Sequence, residues 1–415
     1  MTVDELSQPP TQGVFLCYDK YIKRKSMQLR PHQLEALDRM NTKRLGQLIV
    51  PTGGGKTMCM IEDAKKRFAQ SSLPQTIVVV APRILLASQL SAEFLEFITD
   101  VDVIHVHSGE THHKSTTKAD ELEYMVNNST ENLLIFTTYH SLHRVEETGI
   151  EVDTIYFDEA HNSVQKNFYP ATDYFSRNAD RCYFFTATPK HSRTGEKAGM
   201  NWSKTYGNVI CQIPAPRLVK QGYILPPKVQ VYKSRILKKD ELVADRDNEQ
   251  MIDAIDNLDK DKVLICAKST RQIVALTSQT DFVKQLAVRG YSYMYITAKT
   301  GAVIDGEKVD RESFFNTLNE WGRNGKRFVV LHHSILSEGI NVNGLEAVLF
   351  MRSMDYIGIS QTIGRVIRKG NADKVFGLVC IPVYSNVGIS TARKVEAVVD
   401  TIFNKGEAAT SIVNT

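Results

Sequence analysis

At 415 residues the chain is long enough for two or three domains, each with its own core. Hydrophobic residues make up 42% and charged residues 24%, the balance of an ordinary globular protein. Lys plus Arg number 51 against 47 Asp plus Glu, a net +4 that neither requires nor excludes nucleic acid, because a basic groove can sit on a nearly neutral protein.

The six cysteines, Cys17, Cys59, Cys182, Cys211, Cys266 and Cys380, are far apart, with no C-x-x-C pair and no histidine at ligand spacing. Buried, reduced thiols are expected rather than a zinc site or a disulfide framework. No apolar run approaches the roughly 18 residues of a membrane span, and the acidic start MTVDELSQPP does not read as a signal peptide. A cytoplasmic protein, in a bacterial or phage-infected cell, is the expectation.

In chain order, residues 1–28 carry little apolar periodicity and read as an irregular lead-in. LRPHQLEALDRM, Leu29 to Met40, predicts a helix with Pro31 in its first turn and Leu34, Leu37 and Met40 on one face. LGQLIV (45–50) then leads into VPTGGGKT, and a helix follows with Met58, Ile61 and Ala64 on one side. TIVVVAP (76–82), DVIHVHS (102–108), LLIFTT (133–138), TIYFDEA (154–160) and CYFFTAT (182–188) are short apolar runs between polar segments. Runs of this kind are strands covered on both faces, which means a mostly parallel sheet in an α/β domain. Between Pro189 and Pro227 the rhythm lapses, with Pro214 and Pro216 close together, and an inter-domain boundary is expected there. It resumes in VQVYKS (229–234), VLICAKS (263–269), SYMYITA (292–298), RFVVLHH (327–333), AVLFMRS (347–353) and FGLVCIP (376–382). The divisions expected are a first domain over 29–215, a second over 216–400 and a fraying tail over 401–415.

VPTGGGKT reads as a phosphate-binding loop. Gly53, Gly54 and Gly55 let successive backbone N–H groups curl around an anion, and the helix starting near Lys56 adds its positive end. Lys56 would reach the β- and γ-phosphates and the Thr57 hydroxyl would ligate Mg²⁺. Val50 departs from the general pattern, which has Gly there, so a Gly-rich turn between strand and helix stays open as the lesser alternative. FDEAHN ends an apolar strand in two carboxylates at the edge where parallel sheets bind ligands. Asp158 would share the Mg²⁺ and Glu159 would orient and deprotonate the attacking water.

VPTGGGKT and FDEAHN are followed by TATP (Thr186 to Pro189), SEGIN (Ser337 to Asn341) and QTIGRVIR (Gln361 to Arg368). In that order the five segments resemble motifs I, II, III, V and VI of superfamily 2 helicases of the DEAH-box type, over about residues 29–385. LRPHQ and VKQGYILPP resemble in particular the branch of restriction-enzyme motor subunits, XPB-like proteins and phage UvsW-like DNA helicases. The resemblance implies two tandem RecA-like domains, each a mostly parallel sheet flanked by helices, with ATP in the cleft between them and a nucleic-acid strand across both.

It further implies that Thr52 to Thr57 contact the nucleotide and that Gln33 reads the adenine edge. His161 would couple the site to Thr186 and Thr188, and Gly339, beside Glu338, would approach the nucleotide. Asn341 stands where many relatives have an acid. Arg365 and Arg368, three apart and so on one face of a helix, would reach the site from the opposite domain, with Gln361 beside them. Ile367 stands where many relatives have Gly.

For the nucleic-acid strand the candidates are Pro82 and Arg83, Thr137, Thr138 and His140, and Lys268, Ser269 and Thr270, all after strand ends. Such residues are equally ordinary loop chemistry. Lys190, His191 and Arg193 are candidates for a basic rim. The reading is an ATP-dependent helicase or translocase using Mg²⁺ and acting on DNA. An RNA helicase and a nucleotide-gated clamp that does not unwind are the alternatives. A small-molecule P-loop kinase is disfavoured, because it would leave QTIGRVIR without a role.

Overall fold

The computed structural model describes residues 28–413 apart from 234, 236, 298, 334–343, 353, 370–373, 375, 384 and 385. Ser337 to Asn341, and with them Gly339, therefore lie outside the described residues.

The first half supplies strands β1 (Leu45–Ile49), β2 (Thr76–Ala81), β3 (Val101–Val106), β4 (Lys114–Ser115), β5 (Asn132–Thr138), β6 (Thr154–Phe157), β7 (Arg181–Thr186), β8 (Lys190–His191) and β9 (Val209–Gln212). All but β8 form one parallel sheet in the order β4-β3-β5-β2-β6-β7-β1-β9. The second half supplies β10 (Pro227–Lys233), β11 (Lys262–Cys266), β12 (Ser292–Thr297), β13 (Gly301–Ile304), β14 (Glu307–Val309), β15 (Phe328–His332), β16 (Ala347–Phe350) and β17 (Gly377–Val383). They form a second sheet in the order β10-β17-β16-β11-β15-β12-β13-β14, parallel except for the β12-β13-β14 edge. Helices flank both sheets. The architecture is α/β with two RecA-like domains, as the resemblance implies.

Burial explains why these segments are strands. Ile77, Val78, Val79, Val80 and Ala81 are all fully buried, as are Phe328 to Leu331. A run apolar on both faces can satisfy its backbone and cover its side chains only between two strands and two helical layers. The register also positions chemistry. Ile49 pairs with Thr186 and Phe157 with Phe184, so β7 alone separates β1 from β6. The loops that follow these three strands, VPTGGGKT, DEAH and TATP, consequently open at the same sheet edge.

Three expectations are corrected. The first helix, α1 (Pro31–Thr42), buries His32, Gln33, Ala36 and Met40, whereas Leu34 is exposed. Of the buried row, His32 and Gln33 face the phosphate loop and Ala36 and Met40 the hydrophobic core. The stretch between Pro189 and Pro227, where the strand rhythm lapses, nonetheless contains β9, which pairs with β1 at the sheet edge. As far as Val413 the tail is held in place: β18 (Ser411–Ile412) runs parallel to β8. Among the described residues no helix is long and apolar enough to cross a membrane, and the five described cysteines are buried thiols.

Candidate active site

Between the sheets lies a cleft of about 440 Å³, within the size range of small-molecule sites. Thr52, Gly53, Gly55, Lys56 and Thr57 line it from the first half, with Asp158 and Glu159; Gln361, Arg365 and Arg368 line it from the second.

The loop is built by its neighbours. Gly53 and Gly55 sit in the left-handed region at φ 82° and 84°, and Gly55 caps the N-terminus of α2 (Lys56–Gln70). A Cβ on Gly55 would fall 2.4 Å from Gln33 Nε2 and displace that side chain, and the left-handed φ itself favours glycine there. The LRPHQ segment binds the outer side of the loop. Arg30 Nη1, His32 Nε2 and Gln33 Nε2 lie 3.5, 2.7 and 3.2 Å from the carbonyls of Gly53, Gly54 and Gly55. Burial lowers the His32 pKa, partly offset by the Gly54 bond. Nε2 carries a proton in this contact, because a carbonyl can only accept. Gln33 also accepts from the Arg30 N–H at 2.9 Å, so its amide is engaged by the protein's own backbone.

Glu159 carries the strained conformation of the site, at φ 46°, where a non-glycine residue costs of the order of 1–3 kcal/mol. The turn places its carboxylate 3.1 Å from Lys56 Nζ and 3.6 Å from His161 Nδ1. Burial raises the Glu159 pKa, but Lys56, His161 and Arg365 outweigh it and the net direction is down. Asp158 is pushed up to about 7, by burial and then by Glu159, against Lys56. Two adjacent buried carboxylates are hard oxygen donors of the kind a divalent cation takes, and the cations that share the cleft, Lys56, Arg365 and Arg368, suit a polyanion. Thr52 Oγ1, Glu159 Oε2 and Gln361 Nε2 are buried and make no hydrogen bond among the described residues. Unspent polar atoms of both kinds at one cleft suit a polyanionic ligand carrying a metal.

His161, Thr186 and Thr188 are brought together. His161 Nδ1 lies 3.0 Å from Thr186 Oγ1 and 3.5 Å from Thr188 Oγ1. Tyr139 carries no motif signal in the sequence. Buried beside the acidic pair, it donates its hydroxyl to the Asp158 carbonyl at 2.9 Å. Arg30 and Tyr223 also line the cleft, the guanidinium 4.8 Å from the ring centroid. A basic residue before the helix and a tyrosine in VKQGYILPP are the only sequence signals they carry.

The second half-site differs in detail from expectation. Arg365 is buried within the helix Tyr356–Val366, but Arg368 lies beyond the helix end, in an antiparallel bridge with Ile224. The two share the cleft without sharing a helix. The helix lies so close to the loop that a Cβ on Gly364 would fall 2.4 Å from Thr52 Cβ.

The strand-contact candidates divide. Arg83, His140 and Lys268 are exposed. Thr137 and Thr138 are buried, bonded to the Val106 carbonyl and Ser141 Oγ, because β5 lies inside the sheet; they do not reach a surface. Pro82 is buried, and Ser269 Oγ is spent capping the helix Thr270–Gln279 by accepting from the Gln272 N–H. Lys190 and His191 are half-buried in β8, and burial lowers the His191 pKa, so a basic rim there falls mainly to Lys190 and Arg193.

Residues 26–191 match the family described as type III restriction enzyme, res subunit, and residues 247–370 match the helicase conserved C-terminal domain. No curated protein matches in sequence. Among solved structures, the type ISP restriction-modification enzyme LlaBIII bound to DNA aligns with TM-score 0.70 at 18% identity, over 94% of this chain and 31% of that one. The Mycobacterium smegmatis helicase Lhr bound to ssDNA and AMP-PNP aligns at 0.61 and 16%, over 94% and 49%. The S. cerevisiae protein Dbp5 bound to RNA and ADP BeF3 aligns at 0.59 and 14%, over 94% and 90%. The chain thus spans about a third of the length of the restriction-modification enzyme, and likeness at these identities is likeness of fold. With both helicase domains matched in order along one chain, the protein carries the two-domain core of a superfamily 2 helicase.

Proposed function

We propose that the chain is a DEAH-type ATP-dependent translocase that acts on DNA, with a first domain over 29–215, a second over 216–400, and ATP and Mg²⁺ between them. The observation that carries this reading is the single cleft lined by Lys56, Thr57, Asp158 and Glu159 from one half and by Gln361, Arg365 and Arg368 from the other. Mg²⁺·ATP bound there would supply a phosphoanhydride for water to cleave, with Thr57 and Asp158 as the metal-holding residues. Lys56 would exchange Glu159 for phosphate oxygen, and Glu159, backed by His161, would then accept the proton of the attacking water. Arg365 and Arg368 would offset the charge that develops on the transferred group, a contribution of about 10³ to 10⁵ in rate in arginine-finger enzymes. Only a closed cleft holds both sets of groups, so hydrolysis and product release would cycle the domains and step the protein along a strand. Arg83, His140 and Lys268 are the exposed candidates for backbone contacts to that strand.

The preference for DNA is supported by LRPHQ, VKQGYILPP and the likeness to DNA-bound restriction-modification enzymes. An RNA strand is the second reading, favoured by the likeness to RNA-bound Dbp5. ATP hydrolysis measured with matched DNA and RNA strands separates the two: stimulation by DNA is expected, and stimulation by RNA alone would overturn the choice. Strand displacement on forked, tailed and branched substrates, once hydrolysis is confirmed, distinguishes a motor from a nucleotide-gated clamp.

A further inference from the structure

The chain's last described segment crosses from one sheet to the other. Helix Asn386–Val399 packs on β17 and β10 in the second half and runs into the π-turn Asp400–Asn404. Lys405 and Glu407 donate their N–H groups back to Asp400 and Thr401, both at 2.9 Å, which anchors the exit of the turn. Gly406, at φ 73°, then redirects the chain over Pro214 and Pro216, so closely that a Cβ would fall 3.1 Å from Pro214 Cβ. Ala409 is buried beyond it. Ser411 N–H donates to the Pro189 carbonyl at 3.1 Å and Val413 N–H to the His191 carbonyl at 2.8 Å. The acceptors sit on the loop that leaves TATP, whose Thr186 and Thr188 contact His161. One small cavity is walled jointly by Phe403 and Ala408 of this segment, Ala187 of TATP, Thr52 of the phosphate loop and Gly364 of the opposite half.

We propose that residues 405–413 form a positioning strap through which the terminal helix of the second domain sets the TATP loop of the first. Any opening of the cleft moves helix Asn386–Val399 relative to β7. The strap must then release Pro189 and His191 or draw their loop with it, and with that loop the hydroxyls that hold His161. Motion of the second domain is thereby transmitted to the histidine behind Glu159 through the backbone of the strap and the hydrogen bonds it makes to Pro189 and His191, a path that does not pass through the nucleotide. The catalytic part of this inference rests on the helicase reading; the contact itself does not.

Ser411→Pro deletes the one N–H bound to Pro189 and leaves the side chains of the cleft untouched. Gly406→Ala displaces the strap at its turn and is the second variant. Two measurements on the full chain are needed. Amide exchange over residues 188–192 should quicken about fivefold in Ser411→Pro, the equilibrium factor of one net backbone hydrogen bond, and in the same direction in Gly406→Ala. Nucleic-acid-stimulated turnover should fall by about the same factor, with nucleotide affinity and unstimulated turnover retained. Unchanged exchange would overturn the strap, and quickened exchange with undiminished stimulation would overturn its coupling to hydrolysis. A wild-type chain that neither binds nor hydrolyses ATP would sink the helicase reading instead, while the exchange measurement would still decide the contact.

Discussion

At the scale of single residues the site is held by groups that prime each other. Lys56 is paired with Glu159, which sits in a left-handed turn, and Asp158 is fixed through its carbonyl by Tyr139. Glu159→Gln keeps a hydrogen-bond acceptor for Lys56 and removes the base. Nucleotide affinity should be retained while turnover falls by about 10² to 10⁴, the usual contribution of general-base catalysis; near-normal hydrolysis by this variant would exclude Glu159 as the base. Arg368 is held differently. Its carbonyl accepts from Lys374 Nζ at 2.9 Å, the same ammonium reaches the Leu345 carbonyl, and the backbone of its neighbour Ile367 is bound by Leu225 N–H. Lys374→Met should therefore lower turnover, by about fivefold for the lost hydrogen bond to the Arg368 carbonyl, with little change in nucleotide affinity, and Lys374→Arg should recover most of it. Equal rates in all three proteins would show that Arg368 needs no such anchor. Little of this was legible in the sequence. A motif names Glu159 and Arg368, but the φ of one and the lysine that grips the other depend on segments brought together only by folding.

At the scale of elements, strands were the most readable feature and their solvent-facing ends the least. TIVVVAP and RFVVLHH announce β2 and β15 because a strand buried on both faces must be apolar throughout. Thr137 and Thr138 show the opposite case: hydroxyls at a strand end look available in the sequence, yet β3 and β2 flank them and both are buried. Gly364 illustrates what packing adds. It stands in a helix interior, where glycine is costly, because the helix passes against Thr52. Gly364→Ala should leave the fold intact by circular dichroism and depress hydrolysis, since the added methyl holds the helix off the phosphate loop; wild-type turnover would show that the two can separate freely. Strand β3 carries a titration of its own. His105 is buried, bonded to Ser91 and beside His107 and His113, and burial first, then those two rings, push its pKa down to about 4. An unfolded histidine titrates near 6.5. Between these values the unfolded chain binds a proton that the native chain refuses, so stability is full above pH 6.5 and declines as pH falls towards 4. The denaturant midpoint should drop across that window and drop less in His105→Asn. His107, also lowered by burial, leaves a residual slope. Equal slopes would mean that His105 takes up its proton without unfolding.

At the scale of the whole molecule, the site exists only as a relation between two halves, each of which folds around its own sheet. The phosphate loop and acidic pair follow strands of the first sheet, Gln361 and Arg365 lie on a helix of the second, and they meet where Ile224 of the intervening segment bridges to Arg368. This division makes nucleotide occupancy of one half a different event from closure of both. ADP lacks the γ-phosphate that Arg365 and Arg368 would answer, so it should slow amide exchange over residues 52–58 and leave residues 361–368 near their nucleotide-free rates. A non-hydrolysable ATP analogue should slow both segments, and in Arg365→Ala it should slow the first segment alone. If ADP protects both segments equally, closure follows from filling the cleft and the arginines do not read the γ-phosphate. If the analogue fails to protect the second segment in the wild-type chain, the two halves do not share one nucleotide.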